Sequence, residues 1–490
     1  MSEQSSPHPP PTPGATTPTL WFAIAIWTVG SLGWMARDKM VPDGDEQGHI
    51  GAAELFLSDL SSGNLSGFIQ RFYWEQMGEY PQAFTAGVGL WWWLMDGGQP
   101  GRVSVRGICL ISLVIAAIAV GRIARRYTTT DTRDLAQAIA TILVLCIPLA
   151  NGVTRHFMPE GALIAAVCVT MLMAHRFVEY PTLWRGVLLG IFMGLGFLTK
   201  QTFVLMVALP LVWLLSRVRM YNFPAICTAI LVAGGVAGPW IVHNSSEQMS
   251  YGLSSWGGHG DASLWEHVLY YPATTVWLGL GPILALATVV AVFRLFRVHD
   301  KRVLILGAIW LIGGMVLLTL VPKKYPRLLA PLLPVVAIWI ATAMVSSRMR
   351  RRWIISTLSL AFGWLLLTST TPIPLSLTPD SIDPGCPQSW LRPPDNRDLG
   401  LERTANALKD MPPGPILLIG APSIPCQVQT THDWVEHLRP YLRRSGVDRA
   451  VHQDPELAHS SIIDWTGGPG EKIDVPALST SVVIRAKLAP

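Results

Sequence analysis

Long apolar stretches separated by short polar and basic interruptions make up most of this chain. They fall near residues 20–36, 103–121, 134–150, 160–175, 186–199, 201–216, 223–242, 272–293, 303–321, 327–346 and 353–370. A helix crosses the hydrocarbon core with about 20 apolar residues, so the pattern predicts an α-helical polytopic membrane protein of about 11 transmembrane helices. The run from Val187 to Leu215 is long for one span and short for two. Arg185 precedes it, and Arg217 and Arg219 follow it. Basic flanks favour the cytoplasmic side, so both ends of the run belong there, and two short helices meeting at Thr199, Lys200 and Gln201 satisfy that rule.

With that choice the basic clusters alternate cleanly. Arg122, Arg125, Arg126 and Arg133 share a side with Arg176 and Arg185, then with Arg294, Arg297, Lys301 and Arg302, and finally with Arg348 and Arg350 to Arg352. Assigning that side to the cytoplasm puts the N-terminus inside and places the outer loops and C-terminal region in the periplasm of an inner membrane. Residues 1–19 are rich in Pro, Ser and Thr and carry no Lys or Arg, which reads as a disordered tail and not a signal peptide. Residues 20–370 form the transmembrane domain, with 37–102 as its first outer loop. Within that loop Tyr80 to Met95 reads as an interfacial helix, since Trp91, Trp92 and Trp93 suit the headgroup depth. Residues 371–490 read as a small soluble α/β domain. Pro415 to Gly420 and Ser481 to Leu488 resemble strands, and Asp433 to Arg444 an amphipathic helix. Cys386 and Cys426 lie in this outer domain, either as a disulfide or as two free thiols.

Composition sharpens the class. Of 490 residues, 50% are hydrophobic and 14% charged, and there are 20 Trp. The mean hydropathy is +0.38. Soluble domains carry about 25% charged residues. The net charge of +5 is spread over short clusters between apolar runs, so it marks topology and excludes a nucleic-acid stripe.

Candidate chemistry lies at the outer ends of the spans. Asp43, Asp45 and Glu46, with His49 close behind, follow the first span. Carboxylates at a helix start suit the macrodipole, which accounts for one acid but not for three plus a histidine beside hydrocarbon. These oxygens could hold a divalent cation, and a metal-free base is the other reading. The second outer loop carries Arg155, His156 and Glu160, and the fourth reads VPKKYPRLLAPLLP with Lys323, Lys324 and Arg327. Basic residues on the outer side run against the positive-inside trend unless they snorkel or meet an anion. Together with Lys200 and Arg155 they make a phosphate-binding set on the same side as the acids. That combination suits transfer from a phosphate-linked lipid, with a carboxylate as general base and cations on the departing phosphate.

Four motifs, in order along the chain, carry a family resemblance: Asp45-Glu46 after the first span, Glu79-Tyr80-Pro81, GLGFLTK from Gly194 to Lys200, and Lys324 to Pro334. Arg106, at the start of the second span, also fits. Over about residues 20–370 the chain resembles the GT-C superfamily of membrane glycosyltransferases, in its bacterial branch of protein O-mannosyltransferases and aminoarabinose (lipid A) transferases. The resemblance implies an inverting enzyme that takes a sugar from a polyprenyl-phosphate donor to a lipid, glycan or protein acceptor. Asp45 would be the base, with Glu46 beside it and Glu79 near the acceptor. Lys200, Lys324, Arg327 and Arg155 would hold the donor phosphate, supported by Asp43, His49, Arg106, Glu160 and Lys323. His49 stands where the aminoarabinose branch often has Tyr, and Leu328 where the family often has Tyr after the Arg. A transporter or flippase for lipid-linked saccharides, or a non-catalytic membrane scaffold, are the competing classes. Charges clustered at span ends, not mid-span, weigh toward surface chemistry.

Overall fold

The computed structural model describes residues 16–38, 44–75, 81–96, 102–219, 222–256, 264–297, 301–321, 324–346, 350–371 and 394, together with five strands beyond them. Helix α1 (Thr16–Arg37) is the first apolar run. The stretch after it folds into three helices, α2 (Gly44–Ser61), α3 (Leu65–Tyr73) and α4 (Ala83–Asp96). In α2 and α4 the apolar positions face each other. Ile50, Ala53 and Leu57 pack on Phe84, Val88 and Trp92 to form a small core of their own. Gly89 permits the close approach, since a Cβ there would lie 2.7 Å from that of Phe56. The Trp triplet is therefore split. Trp93 is exposed, and Trp92 is fully buried in this core.

The bundle continues with α5 (Arg102–Ala124), α6 (Arg133–Leu145), α7 (Pro148–Arg155), α8 (Pro159–Glu179), α9 (Leu183–Thr199), α10 (Phe203–Leu215), α11 (Phe223–Trp256) and α12 (Leu264–Thr274). It ends with α13 (Gly281–Phe296), α14 (Arg302–Ala308), α15 (Gly314–Thr319), α16 (Pro334–Val345) and α17 (Arg350–Thr370). Among the described residues six helices are long and apolar enough to cross a membrane, or nine if each of three bent pairs is one span. The chain does break after Thr199, leaving α9 and α10 as two short apolar helices around Lys200. The sequence-based total of 11 is reached only by adding these two to the nine.

Proline and glycine set the bends. Pro148 opens α7 at a 57° turn from α6, and Gly281 (φ +68°) starts α13 at a 111° turn. A left-handed φ is free for glycine and strained for other residues. Pro326 and Pro331 hold the stretch Pro326–Leu332 in a 3-10 turn before α16. Helix α16 is buried on every side, as a helix apolar all round must be. Where α9 crosses α11, glycines at a four-residue spacing let the backbones meet. A Cβ on Gly186 would sit 2.5 Å from the Ala225 carbonyl, and one on Gly190 2.5 Å from that of Ala229. Small residues drive such helix contacts in lipid, where burial from water supplies little.

Beyond the bundle lie β1 (Ile416–Ile419), β2 (Val451–His452), β3 (Ser461–Asp464), β4 (Glu471–Val475) and β5 (Thr480–Ala486), in the order β2-β1-β3-β5-β4. β1 pairs in parallel with β2 and β3, and β5 runs antiparallel to β3 and β4. The two expected strands are β1 and β5. The expected helix Asp433 to Arg444, Cys386 and Cys426 fall outside the described residues.

Candidate functional site

The joint between α7 and α8 organises the site. Pro159 opens α8 and disfavours a helical Met158, which is extended, as is His156 at the end of α7. An extended segment cannot bond its own amides, and the Phe157 N–H is left for another partner. Glu46, in the first turn of α2, takes it at 2.5 Å. The Phe157 ring locks the same segment into the core between α2 and α4, 5.3 Å from Phe84 and 5.9 Å from Trp92 between centroids.

Glu46 is the hub of an acidic cluster. Its Oε1 lies 3.3 Å from His156 Nδ1 and its Oε2 3.8 Å from Arg106 Nη2. Arg106 also donates to Asp38 at 2.7 Å. Burial pushes the Glu46 carboxyl upward, but the Arg106 charge, the His156 hydrogen bond and charge, and the Phe157 N–H outweigh it and hold the group at about 2. Asp38 is fully enclosed and passed unnoticed in the sequence; its only signal there is an acid directly after the first span. His49 is buried edge-on against Phe84, at 5.7 Å. Asp45 occupies the first turn of α2, next to Glu46. Its side chain, and Asp43, Glu79 and Lys323 entirely, fall outside the described residues.

Three residues further on, Glu160 centres a cationic cluster. Lys200 Nζ is 2.6 Å and Arg327 Nε 3.3 Å from the same atom, Glu160 Oε1. Glu160 Oε2 is buried with no hydrogen-bond partner among the described residues. The break between α9 and α10 presents Lys200, and the 3-10 turn presents Arg327, whose guanidinium lies 4.9 Å over the Tyr325 ring. Lys324 is buried and points at the end of α15, donating to the carbonyls of Thr319 at 2.6 Å, Leu318 at 3.4 Å and Val321. A lysine there satisfies orphan carbonyls and the negative helix end. Burial alone lowers its ammonium to about 8. Arg155 keeps other company, donating to Ser369 at 2.7 Å and stacking 5.1 Å over Trp34.

The result is two buried clusters on one short segment. Asp38 and Glu46 set two carboxylates against Arg106; Lys200 and Arg327 set two cations against Glu160. No three His, Cys, Asp or Glu side chains come together as a metal site among the described residues. The side chains of Asp43 and Asp45 are not among those described.

The family model described as dolichyl-phosphate-mannose-protein mannosyltransferase matches residues 95–243, which include Arg106, Glu160 and Lys200. ArnT from Cupriavidus metallidurans bound to undecaprenyl phosphate superposes with a TM-score of 0.61 at 14% identity, over 96% of this chain and 98% of that one. The chain has the GT-C membrane glycosyltransferase fold. A second GT-C structure, the Archaeoglobus fulgidus oligosaccharyltransferase tethered to an acceptor peptide, matches at a TM-score of 0.51 and 11% identity, over 90% of this chain and 64% of that one. No curated protein matches the sequence.

Proposed function

We propose that this chain is an inverting transferase that moves a sugar from a polyprenyl-phosphate donor to an acceptor at the outer face of the membrane. The observation that carries the reading is the pair of buried ion clusters, Glu46 with Arg106 and Glu160 with Lys200 and Arg327, brought to the two ends of the segment from His156 to Glu160. Glycosyl transfer needs a base for the acceptor and a cationic cradle for the leaving phosphate, a short distance apart.

In this reading Asp45 takes the proton from an acceptor hydroxyl or amine as that atom attacks the anomeric carbon. The bond from that carbon to the phosphate oxygen breaks, and the lipid phosphate leaves with the electron pair. Glu46 braces the start of α2 on Phe157, His156 and Arg106, and thereby fixes where Asp45 stands. Glu79 lies near the acceptor. Lys200 and Arg327 meet the departing phosphate, and Lys324 adds its charge once it leaves the end of α15. The matching ArnT structure, which holds undecaprenyl phosphate, supports a lipid-phosphate donor. The eleven-span topology belongs to the same proposal, with the site and the C-terminal α/β domain periplasmic. Sugar and acceptor are to be read from the assay.

The test is undecaprenyl phosphate binding by the purified chain. Arg327→Lys keeps the charge but loses the planar fork. It is expected to weaken binding about tenfold, as the loss of a charge-assisted bond does. Unchanged affinity would remove Arg327 from the donor cradle.

A further inference from the structure

A groove of about 360 Å³ opens between α1 and α17, with Arg155 and Pro394 also in its lining and neither Lys200 nor Arg327 among it. Arg155 is 9% exposed, and among the described residues it has no carboxylate partner and its Nε is buried without a hydrogen bond. Its partners are a neutral hydroxyl, that of Ser369, and the Trp34 ring. Burying a guanidinium is costly unless an anion meets it. The wall opposite is vacated by sequence. A Cβ on Gly30 or on Gly33 would meet nothing within 4 Å.

The groove is graded along the helix axes. At one end Arg155 is joined by Arg37 in the last turn of α1 and by Ser369 and Thr370 at the end of α17. Toward the helix middles the lining turns apolar, with Ile26 from α1 and Phe362 and Leu366 from α17. Ile26, Phe362 and Leu366 are also exposed to the outside of the bundle, at 47%, 40% and 49%. A cationic mouth at the helix ends above an apolar flank matches a lipid lying in the bilayer, with its headgroup at the interface and its chains along the helices.

We propose that this groove binds the phosphate headgroup of one anionic bilayer phospholipid, with Arg155 as its buried ligand, Arg37 at the mouth and the acyl chains along the flanks of α1 and α17. The site does not rest on the transferase reading, and Arg155 is thereby assigned apart from the donor cradle. A free phosphate would forgo the apolar flank. A volume of about 360 Å³ is at the small end for ligand pockets and takes a headgroup, leaving the chains outside.

The full chain, purified in neutral detergent and stripped of lipid, is offered phosphatidylglycerol, with bound lipid counted by native mass spectrometry. One phosphatidylglycerol per chain is expected. Arg155→Gln should weaken its retention about tenfold or more, the worth of a buried charge-assisted contact. Gly30→Leu places its Cβ in open space and projects the rest of the side chain into the groove, so it should cost retention by a similar factor while the thermal midpoint holds. That variant keeps the test open if Arg155→Gln fails to fold. Inorganic phosphate should not displace the lipid, and undecaprenyl phosphate should bind wild type and Gly30→Leu alike. Undiminished phosphatidylglycerol retention in Gly30→Leu would overturn the proposal. So would displacement by inorganic phosphate, or by undecaprenyl phosphate, which would make the groove a plain anion site or the donor's own.

Discussion

Lys200 Nζ lies 2.6 Å from Glu160 Oε1, although 40 residues separate them in the chain. Both are buried, and Arg327 shares the same oxygen at 3.3 Å. Removing the carboxylate leaves two buried cations facing each other. Glu160→Gln is therefore expected to destabilise the protein by about 3–5 kcal/mol, the cost of breaking a buried pair. Thermal unfolding in detergent reads it, and Lys200→Gln on the Glu160→Gln background should recover part of the loss.

Glu46 gives the fold an acid-sensitive joint. Its carboxyl is held at about 2 in the folded protein against an ordinary 4.5. A depressed carboxylate contributes stability that is fully present above the unfolded value and fades as pH falls toward the folded one. Unfolding midpoints should drop as pH is lowered from about 4.5 to about 2. In Glu46→Gln that part of the slope should be gone and the midpoint lower at neutral pH. An unaltered slope in the variant would place the acid sensitivity elsewhere.

Lys324 shifts the other way along the pH scale. Burial lowers its ammonium from 10.5 to about 8, so the folded chain gives up this proton before the unfolded chain does. The unfolded state then holds more protons between those values, and stability should rise with pH through about 8 to 10.5. Undecaprenyl phosphate affinity should fall over the same interval as the cation is lost. Lys324→Met should flatten both profiles. A donor affinity that does not change through about pH 8 in the wild type would separate Lys324 from the phosphate.

The glycines of α9 and α11 are not equivalent. A Cβ on Gly190 would press on the Ala229 carbonyl at 2.5 Å, while one on Gly234 would meet nothing within 4 Å. Gly190→Ala is expected to part the two helices and cost about 1–3 kcal/mol, as overpacking does. Gly234→Ala should be neutral or stabilise by up to about 1 kcal/mol through helix propensity. Equal midpoints for the two variants would contradict the close crossing of α9 and α11.

Local chemistry was legible in the sequence. The helix break at Lys200 followed from run length and basic flanks, and β1 and β5 from short apolar runs. The cations Lys200 and Arg327 stood out by lying on the wrong side of the charge rule. What escaped was long-range. Asp38 has no pattern around it, and only folding brings Arg106 to it from 68 residues away. The Phe157 amide became a ligand for Glu46 because it falls in the break between α7 and α8, a backbone effect no side-chain pattern announces. That Trp92, of the three tryptophans, packs against Ile50, Ala53 and Leu57 of α2 could not be told from the triplet alone. Arg155 fell in with the other outer cations by composition, and only its partners, Ser369 and Trp34, set it apart.

The central claim is that a carboxylate at the start of α2 drives sugar transfer from a lipid phosphate. The most direct measurement offers the detergent-purified chain a panel of radiolabelled polyprenyl-phosphate sugars with membrane acceptors, wild type beside Asp45→Asn. The account predicts labelled acceptor and released polyprenyl phosphate with wild type, and loss of both with Asp45→Asn at an unchanged unfolding midpoint. Wild-type transfer by Asp45→Asn would contradict the assignment of the base. No transfer by the folded wild type from any donor would contradict the reaction class and return the weight to a transporter or a scaffold.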